Sequence, residues 1–258
     1  MELNEDTKNR IDAIKFCQTS EFAVTICIWP SASAEKNIQF VKNYLENHIS
    51  CRILYENKLT LELHTAPLIM MAVYDSEEWL ETNCWYMEQP LKEGKPSGAW
   101  PGAKWKAALC FQETNPLHVF VVDVSKAKKD IWNEKYSLRA ALSERSGYYG
   151  NSCMHVSDDQ SATIKKKKAN SNNNANGISS SGYDCADSYA YHCSRIFLNP
   201  NVVTFLNQHC KDLDIDDKEF MKKFHFNEFL KWLKDDDFID YDEENDQFAI
   251  PFDIINVQ

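Results

Sequence analysis

The sequence predicts an α+β fold, an antiparallel sheet covered by helices, with a small acidic α+β extension at its C-terminal end. Two observations carry this expectation. Apolar runs of strand length alternate with segments whose apolar residues recur at helical spacing. Their order is strand, helix, strand, helices, strand, helix, which suits a split βαβ arrangement. Hydrophobic residues at 43% and aromatics at 12% supply a real core for a chain of 258 residues, as one large domain or one domain with an appendage.

Residues 1–20 read as a polar segment with at most one short helix. Phe22 to Trp29 is a run of β-branched and aromatic residues stopped by Pro30, the pattern of a buried central strand. Ser31 and Ser33 are placed to cap the following helix. There Ile38, Val41, Leu45 and Ile49 form the apolar stripe, with Glu35, Lys36, Lys42 and Glu46 toward water. Cys51 to Leu63 alternates as a second strand. Short helices are expected at Ala66–Met71 and Glu77–Cys84. Prolines and glycines between Gln89 and Gly102 mark a loop. Trp85, Trp100 and Trp105 flank it, either pinning it to the core or offering a base-stacking surface. A helix from Ala103 to Phe111 closes this part.

His118 to Val124 is the next buried strand. A helical stretch from Ser125 to Leu142 follows, with Ile131, Tyr136, Leu138 and Leu142 as core positions. Residues 160–183 are a lysine- and asparagine-rich insert too poor in apolar residues to offset ordering entropy. Helices are expected again at Tyr189–Leu198 and, after Asn199-Pro200-Asn201, at Val202–His209. The core thus spans 21–210, and 211–258 forms the acidic extension. In it Phe220, Phe224, Phe229 and Trp232 make an aromatic face, either packed on the core or presented to a protein partner. Phe238 to Ile250 reads as two strands around an Asp-rich turn that lacks the mid-loop glycine of a calcium loop.

Composition narrows the function. A net charge of −11 repels polyanions and argues against general nucleic-acid binding, while leaving room for a small nucleotide in a local basic pocket. No apolar run approaches the ~20 residues that span a bilayer. The polar N-terminus lacks a signal-peptide core, and nine cysteines without framework spacing read as reduced thiols, so a cytoplasmic protein is expected.

Chemistry concentrates in Gly147–Asp159. Glycines at 147 and 150 allow a sharp turn, and His155 stands two residues before Ser157 and three before Asp158. Arg139 and Arg145, just upstream, suit an anion. Gathering of Cys153, His155, Cys185, His192 and Cys193 around zinc matches no known spacing, so no metal site is assigned. A Cys153 nucleophile paired with His155 is a weaker alternative to catalysis by the histidine itself. A purely structural His155 on a surface loop is the plain alternative.

Ile28-Trp29-Pro30, Leu138-Arg139 and Asn151-Ser-Cys-Met-His155-Val-Ser157-Asp158, on this element order, resemble nucleoside diphosphate kinases over roughly residues 20–200. The resemblance implies a ferredoxin-like sheet and a phosphohistidine mechanism. His155 would be the nucleophile, oriented by Ser157, with Arg139, Asn151 and Arg145 contacting a nucleoside tri- or diphosphate that carries magnesium. Trp29 stands where the family has a phosphate-handling lysine, and Val156 where it has glycine. The alternatives are a catalytically inactive relative that binds a nucleotide or a protein, or another transferase using the same anion-binding loop. Self-association is left open.

Overall fold

In the computed structural model the described residues are 4–74, 99–157, 189–209, 241–242 and 247–248. Helix α1 (Glu5–Thr19) is longer than a short terminal turn. Asn4 caps it by accepting from the Thr7 N–H at 2.8 Å, and Ile11, Ile14 and Cys17 are buried. Strand β1 (Ala23–Ile28) is buried throughout, as its unbroken apolar run demands. A 3-10 turn at Pro30–Ala32 leads into α2 (Glu35–Asn43). Ser31 and Ser33 do not cap α2. Ala34 holds the cap position, while the two hydroxyls donate to the Leu109 and Pro116 carbonyls. They join this turn to the chain entering the next central strand.

Helix α2 continues as a wider π-helical stretch, Tyr44–Ile49, ended by Ser50 at φ 68. Val41, Leu45 and Ile49 recur every fourth residue and all three are buried on the core face. Strand β2 (Arg52–Leu59) stops short of Leu63, which is 70% exposed. Helix α3 (Ala66–Tyr74) and helix α4 (Ala99–Cys110) follow, α4 starting before the expected Ala103. Strand β3 (Leu117–Asp123) and helix α5 (Ile131–Ser146) come next. Within α5, Ile131, Leu138 and Leu142 are buried, but Tyr136 is 65% exposed rather than a core residue. After Gly147, at φ +80, the short α6 (Gly150–Cys153) passes directly into β4 (Met154–Val156). Helices α7 (Tyr189–Leu198) and α8 (Pro200–His209) match their sequence limits closely.

The sheet order is β2-β3-β1-β4, antiparallel at every pairing, and β4 is an edge strand. The fold is therefore α+β with an open four-stranded antiparallel sheet, compatible with a ferredoxin-like arrangement. Period two sorts the side chains onto two faces. Val24, Ile26, Ile28, Phe120, Val122, Met154 and Val156 meet α2 and α5. Cys27, Trp29, Val119 and Val121 meet the layer of α1, α3, α4, α7 and α8. Helix α7 is buried from Ala190 to Leu198 in that second layer. It is tied down by Thr25 Oγ1 donating to the Ala190 carbonyl, Asn57 Nδ2 to Phe197, and Arg10 to the last carbonyl at Leu198.

The expected helix at Glu77–Cys84, the insert 160–183 and most of the extension 211–258 lie outside the described residues. In the extension, Tyr241–Asp242 and Gln247–Phe248 pair antiparallel, as the two-strand expectation had it. Trp105 packs against the core from α4.

Candidate functional site

His155 sits in the middle of β4, opposite Cys27 of β1. Residues 153, 155 and 157 turn their main-chain groups toward β1, shown by Trp29 N–H donating to the Cys153 carbonyl and Ser157 N–H to Thr25. The imidazole faces the layer of α3, α4 and α7 and is 6% exposed. It is thus a strand residue in an interior, not a surface-loop residue. Tyr74, at the end of α3, stands edge-on to it with ring centroids 5.1 Å apart at 90°.

Two cations grip the short segment that leads into the histidine. Lys106 of α4, 1% exposed, donates from Nζ to the Asn151 carbonyl at 2.8 Å. Arg139 of α5 donates from Nη2 to the Met154 carbonyl at 3.2 Å, covering the side of β4 that has no neighbouring strand. No carboxylate partners Lys106 or Arg139 among the described residues. The Arg139 Nε is buried without a hydrogen-bond partner there. The close approach of α5 to α6 depends on Gly150. A Cβ at that position would stand 3.3 Å from both the Cβ and the carbonyl oxygen of Arg139.

The electrostatics follow from this packing. Burial pushes the His155 pKa well below the ordinary histidine value. The positive charges of Arg139, Lys135 and Lys106, and then His192, push it further in the same direction. At neutral pH the ring is an uncharged imidazole with nucleophilic or proton-accepting capacity. Burial also draws Arg139 below its usual value, against smaller opposing effects led by Tyr74. His192 of α7 lies beside this group, with Nε2 2.6 Å from the Ala72 carbonyl.

The residues singled out in the sequence are placed differently from one another. Arg139, Asn151 and His155 converge, although Asn151 engages Lys106 through its main chain. The Ser157 hydroxyl accepts from the Thr25 N–H at 2.8 Å. Among the described residues no hydrogen bond links it to His155. Arg145 lies elsewhere, its guanidinium 4.4 Å from the Phe40 ring centroid on the α2 side of the sheet. Sequence reasoning missed Lys106, Lys135 and Tyr74, and it named His192 only as one of a candidate zinc group with His155. Lys135 had a readable signal, standing one helical turn before Arg139. Lys106 and Tyr74 had none, because they come from the long segment between β2 and β3.

The arrangement sets the cations Lys106 and Arg139 around the backbone that carries a neutral imidazole. Among the described residues, no cluster of His, Cys, Asp and Glu is arranged to hold a metal ion. No helix there is long and apolar enough to cross a membrane. Comparison with protein-family models, with curated proteins and with solved structures gives no match.

Proposed function

We propose that the chain performs nucleotide-dependent phosphoryl transfer through His155, in the manner of nucleoside diphosphate kinases. One observation carries the reading: a neutral, buried histidine on an edge strand shares its surroundings with Lys106 and Arg139, whose described partners are main-chain carbonyls. A buried lysine and a partly buried arginine with no carboxylate partner among the described residues are costly, and a bound phosphate would offset that cost. The family resemblance of 138–139 and 151–158 and the compatible strand order add support.

The chemistry would run in two displacements. A ring nitrogen of His155 directs its lone pair at the terminal phosphorus of a nucleoside triphosphate. The N–P bond forms as the bridging P–O bond breaks, and that electron pair leaves on the diphosphate. Lys106 and Arg139 balance charge on the phosphoryl oxygens. A terminal oxygen of a second nucleoside diphosphate then attacks the phosphorus and restores the imidazole. Magnesium belongs to this reading as part of the nucleotide substrate, since among the described residues the charged groups that act on His155 are cations. The cytoplasm is the setting such a reaction implies.

A second reading, a relative that binds a nucleotide or a protein partner without catalysis, draws on Trp29. Its buried indole packs against Phe111 and Phe197, so the end of β1 offers no cation. Incubation with γ-labelled nucleoside triphosphate and magnesium separates the two. Acid-labile, base-stable label that is lost in His155→Gln is the expected outcome. Nucleotide binding with no label would leave only the binding reading.

A further inference from the structure

The segment between β2 and β3, residues 60–116, is where this molecule departs most from a simple hairpin connection between two neighbouring strands. It brings α3 and α4 onto the sheet face that holds His155. Tyr74 ends α3 against the imidazole, and Lys106 extends from α4 to the main chain just ahead of β4.

We propose that Lys106 is a dedicated anion-binding residue and that, with Arg139 of α5, it forms a two-cation subsite for a doubly charged terminal phosphate. The two side chains bracket one short stretch of backbone, Lys106 at Asn151 and Arg139 at Met154. Lys106 is almost completely buried, and its described hydrogen bond goes to a neutral carbonyl. The Arg139 Nε, also buried, still has a donor to give. A structural lysine is expected to snorkel its ammonium to water. Lys106 does the opposite, which is costly without a countercharge. Two cations engaging one ligand select a dianion over a monoanion, and guanidinium and ammonium donors match the oxygens of a phosphate monoester. The charge comes from a segment between strands, so the site's specificity is carried outside the sheet that carries the histidine. The inference rests on the proposed function for the identity of the site, but it concerns binding alone.

The test uses the full chain with inorganic phosphate and tripolyphosphate as probes, followed by calorimetry and by thermal melting. Lys106→Gln keeps an amide donor toward Asn151 while removing the charge. It is expected to weaken tripolyphosphate binding on the order of ten- to a hundredfold, with Lys106→Arg recovering part of it. Acetate, a monoanion, is expected to compete poorly at equal ionic strength. A merely structural lysine would show itself in stability. Lys106→Met is expected to melt at or above the temperature of the native chain, because an apolar residue replaces a buried charge. Equal tripolyphosphate affinity in the native chain and Lys106→Gln overturns the proposal, as does a native chain that binds neither probe, or a large loss of melting temperature in Lys106→Met. Binding that depends on Lys106 without labelling of His155 leaves this inference standing and removes the phosphoryl-transfer reading.

Discussion

His155 makes the stability of this protein depend on pH in a way that can be worked through. In the folded chain its pKa lies well below the usual value, first because of burial and then because of Arg139, Lys135, Lys106 and His192. In the unfolded chain it returns to about 6.5. Above that pH both states are neutral and the group contributes nothing. As pH falls through the unfolded pKa, the unfolded chain takes up a proton that the folded chain refuses, so stability falls with pH. If the folded ring stays neutral at pH 5.5, a single such group costs about 1.4 kcal/mol there relative to neutral pH. His118 contributes in the same direction, since burial lowers it despite the opposing Glu56. The measurement is therefore a difference. Urea unfolding of the native chain and of His155→Gln is followed at pH 7.5, 6.5 and 5.5. The native chain should lose about 1.4 kcal/mol more than the variant over that range. Tripolyphosphate should shrink the difference, because an anion beside the ring offsets the cations and raises its folded pKa. Parallel losses in the two proteins would mean that His155 is not held neutral, and the nucleophile argument would lose its electrostatic basis.

Two other outcomes follow from single contacts. Gly150→Ala places a methyl group 3.3 Å from the Arg139 Cβ and carbonyl oxygen, so α5 must give by a few tenths of an ångström against backbone; an overpacking cost of about 1 kcal/mol in denaturant melts is expected, together with weaker anion binding as Arg139 shifts, and unchanged stability would mean that the contact relaxes freely. Ser157→Ala removes the acceptor of the buried Thr25 N–H and should cost about 1–3 kcal/mol of stability while leaving any histidine labelling in place, whereas a loss of labelling at unchanged stability would restore Ser157 to an orienting role.

The sequence by itself determined the elements whose signals are local. The unbroken apolar runs at 22–29 and 118–124 became the two central strands, where both faces are covered and no alternation is needed. The stripe Ile38, Val41, Leu45, Ile49 became the buried face of α2, and Asn199-Pro200 separated α7 from α8. His155, Arg139 and Asn151 were legible as a group because they lie close together in the chain. Tertiary structure decided the rest. Three residues of β4 carry too little pattern to announce a strand, and only pairing with β1 fixes them and turns His155 inward. A hydroxyl next to a histidine reads as its partner in one dimension, yet Ser157 answers the main chain of Thr25 across the sheet. Arg145 is near His155 in sequence, but the turn of α5 sends it to Phe40 on the other side. Tyr74 reaches the histidine, and Lys106 the Asn151 carbonyl ahead of it, from far along the chain through helix packing, and nothing in a local window records such a meeting.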